Sequence, residues 1–552
     1  MDLEELLEKY AARNALQHGE AQVDAVVGKV FAEEPDLKQR ADEVVSTAED
    51  IIPDINSKPD GELEAIVEGH EYVDAEEDDR LPDLPNAEAG DVVMRMAPFP
   101  SGMLHVGNAR MAVLNDEYVK QYDGKLLLVI DDTAGSAEKK PIQEAYDAIP
   151  EDLEWLGVEF DDIIYKSDRL DLFYDYAERF LEEGWAYVCE CDAETLRENR
   201  ENGVACEHRK HSPETDLEKW EDMLAGDYGE GEAAVRLKTD MQADDPAFRD
   251  RVLLRISELD HPRVGDDYRV WPMLEFSWAV DDHELGITHI IRGKDLVMED
   301  RMERYMWDLL GWEEPEILHH GLLGIEGIHL STSESRQNID AGEYEGWDDP
   351  RTWSLQSLKK RGFEPEAIRN FVLEFGMSDN DVTVPVDTLY TENRKLIDSG
   401  ADRYFFVEDP VELEISDVPD GLEAEVPYHP EEDRGTRTVP VDVEGGTSTV
   451  YVDRSDVNDG FLRLKDLCNV EISGEEATFH SVDHTEAVER EAPIVQWVPA
   501  DGNECAVTMP DGDVVEGVCE PATPEERIQF VRFGFVNVLD ADDAVNAYYT
   551  HP

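Results

Sequence analysis

The sequence predicts a multidomain protein in which an α/β domain with a parallel, doubly wound sheet is followed by an all-β region. Its 552 residues are too many for one hydrophobic core, so several domains are expected. Between residues 91 and 133, an apolar run, a glycine loop, a helical pattern and a second apolar run follow one another, which is the order of a βαβ unit. From about Phe405, short alternating runs separated by Gly, Pro and Asp are typical of barrels or sandwiches.

The chain is strongly acidic, with 132 Asp and Glu against 49 Lys and Arg and a formal net charge of -83. The acids are spread through apolar-patterned segments, which argues against global disorder. At molar salt the Debye length falls to about 3 Å and self-repulsion is screened. We therefore interpret the charge as adaptation to a very salty cytoplasm, and it does not exclude a nucleic-acid partner. No run approaches the ~18 apolar residues of a membrane helix, and the acidic start does not resemble a signal peptide, so we expect a cytoplasmic protein without membrane contact.

Residues 1–90 are predicted to form an acidic helical appendage and a linker. Leu3, Leu6, Leu7 and Tyr10 recur at helical spacing, and so do the valines at 23–30. The acidic, proline-containing segment 75–90 is typical of a linker.

The α/β domain is predicted in two parts, at 91–191 and 269–340. Strands are expected at 91–98, 125–133 and 186–191, with helices between them. The more polar residues 192–268 suggest an insertion, after which the sheet is expected to resume with 266–282, 288–296 and 317–324. A helical connector at 341–404 and a β region at 405–552 complete the prediction.

A glycine loop between the first strand and the first helix is a candidate nucleotide site. It holds Pro98, Gly102, His105, Gly107 and Asn108. Loops at the carboxyl ends of parallel strands form the ligand crevice of such sheets, and amides at a helix N-terminus stabilise phosphate charge. His105 is suited to donate to a phosphate oxygen as charge builds during attack at the α-phosphorus. The alternative is an ordinary turn with a solvated histidine.

A second loop, GIHLSTSESRQNI at 327–339, offers hydroxyls, amides and the guanidinium of Arg336 after the last predicted strand of the domain. This composition suits a mobile loop that grips a polyphosphate. An ordinary Ser/Thr-rich loop is the alternative.

Together and in this order, the two loops resemble the signatures of class I aminoacyl-tRNA synthetases. MRMAPFPSGMLHVGNARMAVLN (94–115) is similar to the His-x-Gly-His signature with its lead-in, and HLSTS (329–333) to the Lys-Met-Ser-Lys-Ser signature in its archaeal glutamate-ligase form. Blocks at 271–296, 402–415 and 527–540 resemble segments of the same subclass. From about Asp91 to the C-terminus, the chain is identified as a member of the glutamate/glutamine subclass, in the archaeal glutamate–tRNA ligase form. This implies a Rossmann-like catalytic domain, an acceptor-stem insertion, a helical connector and C-terminal β-barrels.

The resemblance also implies roles for individual residues. ATP contacts are implied for Pro98, Gly102, His105, Gly107, Asn108, Leu330 and Ser331. Catalytic roles are implied for His105, Asn108, Ser331, Ser333 and Arg336. Glutamate contacts are implied for Arg95, Asp131, Arg292 and the position of Leu274. Arg292 stands where glutamate ligases have arginine and glutamine ligases do not, and a fork of donors suits a γ-carboxylate. A surface arginine paired with an acid is the alternative for this residue.

Three positions depart from the family pattern. Asn108 replaces the last histidine of the first signature, Thr332 stands where the second has lysine, and Leu274 replaces a tyrosine that often helps to bind the amino group. These departures concern the ATP phosphates and the substrate ammonium.

Cys189, Cys191, Cys206 and His208 offer four ligands competent for zinc. Their spacing resembles zinc motifs of some glutamate ligases, and we expect a closed structural Zn²⁺ site in the insertion. Free buried thiols are the alternative.

The implied reaction joins L-glutamate to tRNA(Glu) through glutamyl-adenylate, with ATP and Mg²⁺, and tRNA(Gln) is a further candidate substrate. A monomer is expected. The rivals are a glutamine–tRNA ligase, a nucleotidyltransferase with the same histidine-glycine loop, and a tRNA-binding homologue without catalysis.

Overall fold

The computed structural model describes residues 3–18, 21, 23, 26–27, 29–30, 37, 40–56, 58–67, 81–133, 140–474, 476–520, 527–541 and 544–552. The chain divides into two compact units, Met1–Pro82 and Asp83–Pro552. In the first unit, α1 (Leu3–His18), α2 (Ala41–Ile55) and α3 (Asp60–Val67) pack around an aliphatic core. The helix expected from the N-terminal leucines is confirmed. Val23, Val26, Val27 and Val30 are helical as expected, whereas the linker at 75–90 falls partly outside the described residues.

The second unit combines helices and strands over its whole length. Its helices are α4 (Val106–Gln121), α5 (Ala145–Trp155), α6 (Leu170–Glu182), α7 (Ala193–Asn202), α8 (Pro213–Ala225), α9 (Leu274–Glu284), α10 (Val297–Leu310), α11 (Thr332–Asp340), α12 (Leu355–Lys360), α13 (Pro365–Leu373), α14 (Val386–Ile397) and α15 (His484–Glu489). Its strands before residue 400 are β1 (Val93–Met96), β2 (Lys125–Ile130), β3 (Asp162–Tyr165), β4 (Ala186–Cys189), β5 (Ala234–Leu237), β6 (Val252–Ile256), β7 (Val270–Pro272), β8 (His289–Gly293), β9 (Glu316–His320), β10 (Leu323–Ile325) and β11 (Val382–Val384).

A five-stranded parallel sheet, in the order β3-β2-β1-β8-β9, forms the centre of the α/β domain. The strands are added outward in both directions from β1, the strand that precedes the glycine loop: β2 and β3 lie on one side of it, and β8 and β9 on the other. The strand–loop–helix–strand unit of the sequence is confirmed as β1, α4 and β2. Because α4 packs on β1 and has ten buried residues, it covers one face of the sheet. The loop after β1 therefore lies at a switch point, where open α/β sheets bind ligands.

The insertion contains a four-stranded antiparallel sheet in the order β4-β5-β6-β7. Two expectations about it were wrong. The strand expected at 186–191 exists as β4 but belongs to this antiparallel sheet. The segment 266–282 contributes the short β7 to the same sheet and then forms α9, so the parallel sheet resumes only with β8. Apolar runs of both sheets share one core, which includes Trp220, Trp271 and Trp307, and hydrophobicity alone does not tell a parallel partner from an antiparallel one.

The C-terminal region is almost entirely β, as expected. Its strands are β12 (Asp402–Tyr404), β13 (Phe406–Val407), β14 (Pro410–Ser416), β15 (Glu423–Pro427), β16 (Thr436–Pro440), β17 (Ser448–Asp453), β18 (Gly460–Leu464), β19 (Cys468–Ser473), β20 (Glu476–Ser481), β21 (Ile494–Val495), β22 (Val498–Pro499), β23 (Asn503–Thr508), β24 (Val514–Cys519), β25 (Arg527–Phe530), β26 (Gly534–Asp540) and β27 (Val545–His551). Fourteen of them form two seven-stranded, barrel-like sheets, and β15 and β16 pair as a separate two-stranded antiparallel sheet. One is ordered β21-β18-β19-β20-β14-β17-β22, and the other is ordered β12-β25-β26-β27-β23-β24-β13.

Among the described residues, none of the helices combines the length and the apolar character that crossing a bilayer requires.

Candidate active site

Three cationic side chains surround the indole ring of Trp278 near the carboxyl ends of the parallel strands. Arg95 lies on β1, Arg292 on β8, and Lys166 directly follows β3. Their cationic centres lie 4.7, 5.3 and 5.4 Å from the ring centroid, respectively. All four side chains are buried. A cation over an aromatic face is more strongly attracted when water is excluded. The indole ring of Trp278, on α9, therefore helps to keep the three cationic side chains together in one buried pocket.

Arg95 is paired with Asp282 of α9. Its Nε donates to Oδ1 at 2.8 Å and its Nη2 to Oδ2 at 3.0 Å, and both residues are buried. This two-point geometry fixes the plane of the guanidinium. The arginine expected to contact the amino acid is therefore held rigidly between Asp282 and Trp278.

Asp131 and Lys166 form a second buried pair at the ends of β2 and β3. Lys166 Nζ lies 3.4 Å from Asp131 Oδ2 and donates to Ser277 Oγ at 2.7 Å. Asp131 Oδ1 accepts from Thr133 at 3.3 Å, whereas Oδ2 has no hydrogen-bond partner among the described residues. A buried carboxylate oxygen without a donor is costly, so this atom is suited to accept from a bound ammonium.

Arg292 pairs with two carboxylates of α10. Its Nη1 and Nη2 donate to Glu303 at 3.0 and 2.7 Å, and Nη2 also lies 2.5 Å from Asp300 Oδ1. Its Nε is buried and has no partner in the described part of the chain. The alternative of a surface arginine is wrong, because Arg292 is 1% exposed. An acidic partner is nevertheless present.

The first signature loop leads into α4 with His105 as its N-cap. Asn108 Oδ1 accepts from the backbone amide of His105 at 3.0 Å, so the asparagine in place of histidine caps the helix. Burial lowers the pKa of His105 to about 4. At neutral pH the imidazole is therefore uncharged and offers one N–H, and its buried Nδ1 has no partner among the described residues.

The second signature loop lies against the first. A Cβ on Gly102 would stand 2.3 Å from the Trp347 ring and 2.5 Å from Thr332 Cγ2, and one on Gly107 would stand 3.3 Å from Leu330. Thr332 Oγ1 donates to the Met103 carbonyl at 3.4 Å. The absence of side chains at the two glycines therefore permits the close approach of the loops.

Four of the remaining predicted residues belong to these two loops: Pro98 to the first, and Ser331, Ser333 and Arg336 to the second. Ser331 caps α11 by accepting from the Glu334 amide at 3.3 Å, and Ser333 is exposed on the same helix. Arg336 donates to the Lys140 carbonyl at 3.2 Å. The Pro98 carbonyl accepts from the Asp131 amide at 3.0 Å, and Leu274 begins α9.

Two family models match the chain: "tRNA synthetases class I (E and Q), catalytic domain" over residues 91–399, and the anti-codon binding domain of the same group over residues 401–487. The chain belongs to the class I synthetases for glutamate and glutamine. A protein of Pyrococcus furiosus named glutamate–tRNA ligase is 44% identical to this synthetase, and the alignment covers all of both chains. One of the same name from Methanopyrus kandleri is 42% identical over all of this chain and 99% of its own. A crystal structure of a glutamate tRNA ligase from Elizabethkingia meningosepticum superposes with a TM-score of 0.41, at 20% identity, over 56% of this chain and 70% of that one.

The four predicted zinc ligands of the synthetase converge in the insertion. Their ligand atoms all lie within 4.8 Å of one another. Cys189 Sγ is 3.8 Å from Cys206 Sγ, and Cys191 Sγ is 3.5 Å from His208 Nδ1. Tetrahedral bonds of about 2.3 Å to sulfur and 2.0 Å to nitrogen put ligand atoms roughly 3.5–3.8 Å apart. The cluster therefore fits a closed Cys₃His zinc site, with His208 Nδ1 as its nitrogen ligand.

The pocket also contains residues that the sequence interpretation missed: Lys166, Trp278, Asp282, Asp300 and Glu303. Lys166 could have been found, since it directly follows a strand of the parallel sheet, as Asp131 does. Trp278 and Asp282 lie in the block 271–296 that carries the resemblance, but no motif marks them. Glu303 is one of 132 acidic residues, and its sequence surroundings do not distinguish it from a solvated one.

Proposed function

We propose that the synthetase ligates L-glutamate to the 3′ end of tRNA(Glu) through a glutamyl-adenylate, with tRNA(Gln) as a further candidate substrate. The observation that carries the proposal is a set of buried polar atoms near Trp278 that lack a hydrogen-bond partner in the described residues, one of which, Asp131 Oδ2, also lies 3.4 Å from Lys166 Nζ. Asp131 Oδ2 offers an acceptor, while Arg292 Nε and Trp278 Nε1 offer donors, and all three are buried without a hydrogen-bond partner in the described residues. An ammonium and carboxylates are the groups that such a set satisfies.

The proposed residue roles combine this set of atoms with the family resemblance. Asp131 receives the ammonium, and Arg292 receives the γ-carboxylate, with Arg95 and the wall begun by Leu274 completing the pocket. The ATP site is lined by Pro98, Gly102, Gly107, Asn108 and Leu330. There the uncharged imidazole of His105 donates its N–H to the α-phosphate. The leaving pyrophosphate is approached by Ser331, Ser333 and Arg336. Bound Mg²⁺ supplies charge neutralisation at the phosphates. These groups act by positioning and charge stabilisation, so the reaction needs no protein nucleophile.

The other domains would hold the tRNA. The insertion is suited to the acceptor end, with a structural Zn²⁺ on Cys189, Cys191, Cys206 and His208, and the β region is suited to the anticodon, since barrel grooves commonly read splayed bases. We further propose domain limits near residues 90, 340 and 404, with the insertion widened to include Ala186–Cys189 and Val270–Pro272, which pair in its antiparallel sheet, together with a monomer and a salty cytoplasm as its location. The net charge of -83 supports the last point, because only strong screening relieves such self-repulsion.

The test is aminoacylation in multi-molar KCl with labelled glutamate or glutamine and purified tRNA for each. Glutamate charging is expected, and the accepted tRNAs define the range of the enzyme. Charging with glutamine in place of glutamate would refute the role of Arg292. A folded, zinc-replete protein without charging or pyrophosphate exchange would be a tRNA binder without catalysis.

A further inference from the structure

The side chain that is expected to hold the substrate γ-carboxylate is already bound to a carboxylate of the protein. Both terminal nitrogens of Arg292 donate to Glu303, at 3.0 and 2.7 Å, in the two-point geometry that a substrate carboxylate would itself adopt. Glu303 is 0% exposed, and α10 holds it in place. Glu303 therefore occupies both terminal nitrogens of Arg292, and among the described residues only the Nε–H of this guanidinium is left without a partner.

The surrounding charges do not relieve this competition. Asp300, on the same helix, adds a second carboxylate at 2.5 Å from Arg292. His319 of β9 lies 2.8 Å from the other oxygen of Asp300, Oδ2. Arg95 of β1 and Asp282 of α9 also act on Glu303, and they are paired with each other.

A substrate carboxylate would thus be the third to share one guanidinium. Like charges in a water-excluded site strongly oppose joint ionisation, and one of the groups takes up a proton instead. Glu303 is the most deeply buried of them, so its charged form is the most costly.

We propose that Glu303 competes with the γ-carboxylate for Arg292, so that glutamate binds together with one proton, which passes from solvent to Glu303. This inference rests on the proposed function, because it concerns how the same site accepts glutamate. Burial, opposed by Arg292, raises the pKa of Glu303 to about 7. The proton is then exchanged in the range in which the enzyme works.

The proposal makes glutamate binding depend on pH in a defined way. Below about pH 7 Glu303 is protonated and Arg292 is available, whereas above it each binding event must draw a proton from solvent. The KM for glutamate should therefore rise about tenfold between about pH 6 and pH 8, with kcat unchanged. Glutamine brings no charge to Arg292, so its rejection should weaken over the same range.

The experiment compares the full-length wild type with Glu303→Gln, which keeps the shape and removes the charge. The matched control is Glu275→Gln, since Glu275 is equally buried and is paired with a different arginine, Arg251. The readout is the KM for glutamate in aminoacylation of tRNA(Glu) from about pH 6 to 8.5. We expect a flat profile for Glu303→Gln and the tenfold rise for the wild type and the control.

A second measurement needs no variant and protects the test if Glu303→Gln does not fold. Glutamate is titrated calorimetrically into the wild-type enzyme–tRNA complex at about pH 7.5, in buffers of different ionisation enthalpy, and the slope gives the protons taken up. Most of one proton per glutamate is expected. Binding without proton uptake, or parallel pH profiles for the wild type and a folded Glu303→Gln, would overturn the proposal while leaving glutamate charging intact. A wild type that charges no glutamate would instead overturn the proposed function.

Discussion

Substituting Gly102 by alanine should separate the two signature loops. The new Cβ would stand 2.3 Å from the Trp347 ring and 2.5 Å from Thr332 Cγ2, whereas carbon atoms in ordinary contact are ~3.5–4.0 Å apart. The backbone of Trp347 is held in place, because its carbonyl accepts from Thr352 at 2.9 Å and from Ser354 at 2.5 Å. One of the loops must therefore move by more than about 1 Å.

This displacement sets the expected magnitudes. Overpacking of this kind costs about 1–3 kcal/mol of stability, and a misplacement of about 1 Å reduces a rate by up to ~10²-fold. We expect kcat/KM for ATP in pyrophosphate exchange to fall by about two orders of magnitude, with a lower melting temperature. The effect should lie mainly in kcat, because the loops must close on the transition state.

Gly400→Ala is the matched control, since Gly400 has no atom within 4 Å of its ideal Cβ. A second variant, Gly102→Ala with Thr332→Ser, removes the methyl group nearest to the new side chain after the ring and should recover part of the activity. Wild-type activity and melting in Gly102→Ala would refute the close contact of the loops. The close contact would also be refuted if Thr332→Ser alone had wild-type activity and the double variant were no more active than Gly102→Ala.

Three further outcomes are expected. Burial raises the pKa of Asp152 to about 7. The contribution of its protonated form to folding stability is therefore fully present below pH ~4 and is lost as the pH rises through 7. Asp152→Asn should therefore be more stable than the wild type by up to about 4 kcal/mol at pH 8 and similar to it at pH 4, as measured by denaturant unfolding. Cys206→Ser should lower the zinc content from one equivalent to nearly none and destabilise the insertion, as measured by elemental analysis and proteolysis; an unchanged zinc content would refute the site. Arg369→Met removes one of two cationic partners of the buried Asp116, 2.6 Å away, while Lys120 remains at 2.7 Å; the loss of this charged hydrogen bond should cost about 1.5–3 kcal/mol. Lys395→Met, which breaks the more exposed pair of Lys395 and Glu392, should cost less than ~1 kcal/mol in the same assay.

Local pattern was sufficient for much of the fold. The strand ending at Met96, the glycine loop and the helix from Val106 follow from periodicity and glycine placement. The partners of Ala186–Cys189 and Val270–Pro272 did not follow, because strand pairing is decided by contacts between segments that are distant in sequence. The same limit applies to the site. Asp131 was found because it ends a strand, but Glu303 lies on a helix, and its pairing with Arg292 depends on how that helix packs.

The last barrel-like sheet is built from both ends of the β region, and this has a consequence for synthesis. Asp402–Tyr404 pairs with Arg527–Phe530, and Phe406–Val407 pairs with Val514–Cys519, while the whole of the other seven-stranded sheet lies between them in the chain. On the ribosome, the first short strand, Asp402–Tyr404, therefore waits for a partner that emerges about 125 residues later, roughly 6–25 s at ordinary elongation rates. The enclosed sheet can form during that interval, because the strands it needs have already been made. Nascent chains that stop before residue 527 should accordingly carry one finished barrel and one that cannot close, and the last seconds of translation decide whether the C-terminal region is protected from proteases.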